Sequence, residues 1–260
     1  MPQPVTVFLR QSVMLKAAIA ACLKKTSPKR VHSLRSTTRR IEATLELLVL
    51  SANISGIEKQ SKPLQRSLRK LRRAAGAVRD ADVHRDLLVS YHHAPDSGQL
   101  RKDLAAARKK AEQKLIKHLQ REQHSIERRL DNLSTRLTPV LELDLSGAKL
   151  ISLTQSWFTE AIRNLDPQHD RDLHALRKAS KTARYLAEAG VDTSKALATL
   201  AAHYEAAQKS LGEWHDHFLL LHEARAGLQQ NSETIEQIQQ DTERLHERAD
   251  ITANRLLASV

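Results

Sequence analysis

Apolar residues recur along the chain at intervals of three and four, the spacing that puts them on one face of an α-helix. Leu34, Ile41, Leu45 and Leu48 form one such stripe. Leu64, Leu68, Leu71, Ala75 and Val78 form a second, and Leu176, Ala179, Ala183 and Leu186 a third. Pro and Gly fall between these stretches, with Gly76, Gly212 and Gly227 as exceptions. The pattern predicts helices at about residues 5–25, 28–52, 62–92, 97–134, 148–165, 168–190, 193–229 and 232–258. Ser27-Pro28 and Asp166-Pro167 read as N-cap and first-turn pairs, Lys62-Pro63 opens the third helix in the same way, and Gly190 fits a C-cap. The fold class is therefore all-α, with four helices on each side of a seam near Thr138 to Gly147.

Two of these helices leave an alternative open. The fourth, close to forty residues and about 60 Å long at 1.5 Å per residue, is a spine or a projection. The last carries a heptad-like row, Ile235, Ile238, Thr242, Leu245, Ala249, Thr252 and Leu256. Such a row packs inside a bundle or dimerises.

The halves share short strings. His32-Ser33-Leu34-Arg35 returns as His174-Ala175-Leu176-Arg177, and Gly76-Ala77-Val78-Arg79-Asp80 as Gly212-Glu213-Trp214-His215-Asp216. The chain reads as two copies of one helical unit, residues 1–140 and 146–260, together making one domain. In each copy a cationic row lies opposite the apolar stripe. His32, Arg35 and Arg39 form it in the first, and His174, Arg177, Lys178 and Lys181 in the second. Both histidines sit within about two turns of a helix start, where the free N–H groups and the dipole favour anions. Their titration near pH 6.5 would add charge in mild acid. In the third helix Arg66, Arg69 and Arg73 oppose the buried side, flanked by Lys70 and Arg72 with no acid among them. Asp82 falls on the apolar side of that helix, so it should pair with an Arg or His of a neighbour.

Composition sharpens this picture. The net charge is +12. Residues 1–90 hold 18 Lys/Arg and 6 Asp/Glu, whereas residues 91–260 hold 24 of each. Positive charge so concentrated implies an anionic partner: nucleic acid, an inorganic phosphate polymer or acidic lipid. Single-strand nucleic-acid binders stack bases on aromatic rings, and Phe8 is the only aromatic residue in the basic first 90. A linear phosphate polymer asks only for closely spaced cations. The single cysteine, Cys22, excludes an intrachain disulfide and fits a reducing, cytoplasmic setting. Lys16 interrupts the N-terminal apolar run, and no continuous apolar stretch reaches the ~20 residues of a membrane span. His215-Asp216 lacks the converging ligands of a metal phosphohydrolase, and a phosphate loop, zinc spacing and nucleophile elbow are all missing. The expectation is a binding protein, not an enzyme, without a cofactor.

The paired strings, with Arg39-Arg40 after the first and Lys178-Ala179-Ser180-Lys181 and Arg184-Tyr185 after the second, resemble the CHAD family, the conserved-histidine α-helical domain. The resemblance covers nearly the whole chain. It implies two four-helix bundles related by a pseudo-twofold axis, with a basic groove or pore between them. It also implies inorganic polyphosphate as a ligand bound without catalysis, and association with polyphosphate granules in some members. The phosphate ligands it implies are His32, Arg35, Arg39 and Arg40 in the first half, and His174, Arg177, Lys178, Lys181 and Arg184 in the second. Thr182 stands where the first half has Arg40, and residues 145–260 hold 13 Lys/Arg against 16 Asp/Glu. The first half is thus expected to dominate affinity. A nucleic-acid-binding adaptor, its cations tracking an RNA or DNA backbone, is the alternative.

Overall fold

The computed structural model describes residues 3–51, 54 and 56–258. Among them the chain forms eight α-helices: α1 (Pro4–Lys24), α2 (Pro28–Ser51), α3 (Ile57–Leu87), α4 (Ser97–Leu137), α5 (Gly147–Ile162), α6 (Asp170–Glu188), α7 (Lys195–Gly227) and α8 (Glu233–Ala258). Short 3-10 turns follow α3, α4 and α6. The described residues contain no strand. The expected end of the second helix at residue 52, and the outermost limits of the two repeats at 1 and 260, lie outside the described residues.

The apolar stripes are buried as their spacing dictates, including Leu34, Ile41, Leu45 and Leu48 of α2 and Leu64 to Val78 of α3. Two helix starts differ from expectation. α3 begins at Ile57, after Gly56 in the left-handed region at φ 74°, and runs through Pro63. Pro63 forfeits one backbone bond, but burial of Ile57 and Ser61 on the face of Leu64 holds the extra turn in place. Asp166-Pro167 does not open α6, because the Asp166 carboxylate accepts from the Gln168 N–H at 2.9 Å and closes a separate turn. α6 starts instead at Asp170, with His169 as N-cap. Gly190 does follow the end of α6, at φ −130°, which needs no glycine.

In the first half α1 packs on α2, α2 on α3, α3 on α4, and α4 returns to α1. Phe8, Leu15, Ile19, Leu34, Leu45, Leu68, Leu119 and Leu130 share this core. In the second half α6 and α7 pack on each other and on both α5 and α8. Between the halves α2 meets α6 and α3 meets α7, so each of these helices faces its counterpart. α1 is long and apolar enough in overall composition to cross a bilayer, although no continuous run in its sequence indicated this. Its Val5, Phe8, Leu15, Ile19 and Cys22 are spent inside the first core.

α4 is the spine. Its Leu115 to Leu137 sit in the first core, while Leu100 and Leu104 at its other end join Leu220, Leu221, Ile235 and Ile238 of α7 and α8. The α8 row packs internally through Ile238, Leu245, Ala249 and Leu256. Ala253 is buried where Thr252 was expected, and Thr252 is half-exposed, bonded to Ser210. Asp82 is 2% exposed and accepts from Arg108 Nε of α4 at 2.9 Å, the neighbour its burial required. Arg108 also reaches Glu112 and the Thr26 carbonyl.

Candidate functional site

The faces of α2, α3, α6 and α7 opposite their apolar stripes meet around a cleft of about 150 Å³. α2 contributes His32, Arg35, Ser36 and Arg39 to its walls, and α3 contributes Arg79, Asp80 and Val83. α6 supplies Arg177, Lys181 and Tyr185, and α7 supplies Asp216. Arg35, Arg39, Arg79, Arg177 and Lys181 thus confront two carboxylates. The cationic surplus, three when Lys181 is protonated, is enclosed by helices that bury their other faces, so the field is focused into the gap.

The repeated strings explain each other here. Arg35 crosses α3 at Gly76, where a Cβ would come within 2.6 Å of its Nη1. There its Nη1 donates to the Arg72 carbonyl at 3.4 Å, and its Nη2 lies 3.9 Å from Asp80. Arg177 passes α7 at Gly212 less closely, where a Cβ would sit 3.8 Å from its Nε in ordinary contact, and its Nη2 lies 3.5 Å from Asp216. Gly76 makes room for the Arg35 guanidinium, and in both halves the aspartate one turn on braces the arginine. His215, the counterpart of Arg79 in the repeat, lies 3.4 Å from Asp216 and stacks on His174 with ring centroids 4.5 Å apart.

Arg39, Arg79 and Lys181 have no such brace: among the described residues none of them makes a hydrogen bond or ion pair. Arg39 Nε and Arg177 Nε are buried without a hydrogen-bond partner. Burial and the nearby Arg35 and Arg72 pull Arg39 down to about 10. Burial, with Arg177, Arg39 and Arg35 around it, drives the Lys181 ammonium from 10.5 to about 7. Burial alone would raise Asp216, but His215 and Arg177 bring its carboxyl below the usual value. The surroundings oppose the histidine charge in mild acid that the sequence led us to expect. Burial and then the cations around them lower both His32 and His174, the latter to about 4.

Of the expected phosphate ligands, the cleft gathers His32, Arg35, Arg39, Arg177 and Lys181. Arg40 points away and pairs with Glu188 at 3.3 Å. Arg184 is held by Glu188 and Glu205 at 3.1 and 2.7 Å. The two guanidinium groups lie 5.7 and 4.8 Å from the Tyr185 ring centre. His174 and Lys178 line a neighbouring hollow with Arg171, Trp214 and Phe218. Arg66, Arg69 and Arg73 lie exposed on α3, outside the cleft. Arg79 was not singled out from the sequence. Its signal was the repeat itself, since both copies carry a basic or imidazole residue just before the aspartate. The described residues hold no cluster of three or more His, Cys, Asp or Glu side chains able to grip a metal ion. His215 and Asp216 instead position Arg177.

Two helical halves clasping a basic cleft define an all-α protein built around an internally repeated cationic motif. The sequence matches the CHAD domain over residues 10–225, and the chain belongs to that family. Its fold is similar to the crystal structure of the CHAD domain from the plant Ricinus communis, at 21% identity and a TM-score of 0.65, covering 95% of this chain and 85% of that one. It is also similar to PptA from Streptomyces chartreusis, at 15% identity and a TM-score of 0.69, covering 98% of this chain and 100% of that one. No curated protein is similar in sequence.

Proposed function

We propose that the cleft binds inorganic polyphosphate and performs no chemistry on it. The observation that carries this reading is the unbraced cation set: Arg39, Lys181 and Arg79 beside the braced Arg35 and Arg177, against only two carboxylates. Five cations held this close repel one another, and an anion between them relieves both the repulsion and the orphaned N–H groups. Guanidinium forks match phosphate oxygens in pairs, and Lys181 adds a point charge. Membership of the CHAD family supports the same ligand. Bases find little platform here: among the described residues Tyr185 is the one Phe, Trp or Tyr of the cleft, and it is buried between Arg40 and Arg184. In this reading the protein works in the cytoplasm, on polyphosphate granules where these form.

The test is a titration with long-chain polyphosphate against single-stranded DNA or RNA of equal charge. Polyphosphate should bind more tightly, and its affinity should fall with salt as counterions are released. Arg39→Ala should weaken it, because an unbraced cation is lost and no internal ion pair goes with it. Equal or tighter binding of the nucleic acid would replace this reading with the nucleic-acid adaptor.

A further inference from the structure

α3 carries arginines that the cleft does not use. Arg66, Arg69, Arg73, Gly76 and Asp80 follow at intervals of three, four, three and four, so they share one helix face. Gly76 and Asp80 are the residues over which Arg35 lies. The row therefore ends at the cleft's own guanidinium. From Arg66 to Gly76 it spans about 15 Å at 1.5 Å per residue. Arg66, Arg69 and Arg73 are exposed, and among the described residues none has a hydrogen bond or an ion pair. Arg69 only adds to the field that Arg72 and Arg39 set on Glu42.

The matching row on α7 is Ala202, Glu205, Lys209, Gly212 and Asp216. Where α3 presents three cations, α7 presents an alanine, a carboxylate and one lysine, and Glu205 is already held by Arg184 at 2.7 Å. The two rows are equivalent by repeat and opposite in what they offer an anion.

We infer that the track is one-sided: a polyphosphate chain held in the cleft leaves it over Arg35 and runs along Arg73, Arg69 and Arg66, and not along α7. This rests on the polyphosphate reading of the cleft. Each phosphate that meets a cation releases counterions, so the chain gains free energy along α3 and gains none against Glu205. A short oligophosphate fills the cleft alone, whereas a long chain occupies both parts.

The experiment titrates tripolyphosphate and long-chain polyphosphate over a salt series. It compares wild type, the triple variant Arg66→Gln/Arg69→Gln/Arg73→Gln, and Lys209→Gln. In wild type the long chain should show the steeper salt dependence. The triple variant should lower that slope by about 2, at about 0.7 per phosphate contact as in flexible single strands, and erase most of the gain from length. Lys209→Gln should leave the slope near its wild-type value. Among the described residues these side chains make no hydrogen bond or ion pair, so circular dichroism should be unchanged. A triple variant with the full slope, or a Lys209→Gln variant that loses as much, would overturn the one-sided track while leaving the cleft as the binding site. Failure of wild type to bind either phosphate would instead remove the polyphosphate reading and the track with it.

Discussion

Replacing Lys181 should strengthen the empty protein and weaken its hold on anions. The ammonium is depressed from 10.5 to about 7 by burial and by Arg177, Arg39 and Arg35. At 1.36 kcal/mol per unit the shift corresponds to at most about 5 kcal/mol, and solvent in the open cleft screens part of it. For a lysine whose folded value is lowered, the cost to folding is fully present below about pH 7. It disappears as pH rises toward the unfolded value. Lys181→Met should therefore raise the melting temperature of the empty protein at pH 7 and raise it less at pH 10. A bound polyanion restores the charged form. At pH 8 only roughly a tenth of the free amine is protonated, so binding should take up nearly one proton. Affinity should be greatest below pH 7 and fall by up to about fiftyfold from pH 7 to 9, following the linkage slope of one proton per unit. Calorimetry in two buffers of different ionisation enthalpy reads the proton directly. Lys181→Arg keeps the charge beyond this range and should abolish the uptake. No proton uptake in wild type at pH 8, or uptake that persists in Lys181→Arg, would refute the account of this amine.

Three further outcomes are expected. Gly76→Ala places a Cβ within 2.6 Å of Arg35 Nη1, while alanine in a helix interior gains about 1 kcal/mol over glycine. Anion affinity should fall several-fold with no loss of thermal stability, and a parallel fall in both would show that Gly76 matters to packing instead. Asp82→Ala leaves Arg108 partly buried beside an empty acceptor. It should cost about 3 kcal/mol in urea unfolding, the low end for a broken buried pair because Glu112 and the Thr26 carbonyl remain; a loss below 1 kcal/mol would mean the pair is dispensable. Tyr91→Phe removes a 2.7 Å bond to Asp241 that ties the turn after α3 to α8. It should cost about 1.5–3 kcal/mol, the worth of a hydrogen bond to a charged group, read as a drop in unfolding midpoint.

The helices were legible because their faces obey one rule, and burial of Leu64, Leu68 and Leu71 follows directly from spacing. Starts were less legible. The sequence around Pro63 advertises a first turn, yet Ile57 finds a core site and draws the helix back past it. The cleft was half legible. Arg35 and Arg177 stood out as repeated letters, as did Gly76 and Gly212 at the head of the second shared string, but the close passage of Arg35 over Gly76 was hidden, since nothing in one helix shows that another side chain must cross it. Arg40 and Arg184 looked equivalent to Arg39 in charge. Their diversion depends on Glu188 and Glu205, carboxylates far from Arg40 in the chain and brought close by folding. Histidine charge was misjudged because it depends first on burial between packed helices, and then on neighbours that include Arg79 and Lys181 for His32, and His215 and Arg39 for His174, all from other helices.

The length of α4 also sets the gauge of the whole molecule. One end is anchored by Leu115 to Leu137 and the other by Leu100 and Leu104, with a largely exposed stretch from 105 to 114 between them. A helix cannot stretch, and one inserted residue in that stretch would swing its far end by about 100° and carry it 1.5 Å along the axis. A rigid ruler thus joins the first core to the adjoining ends of α7 and α8, and any change in its length would be felt at both anchors.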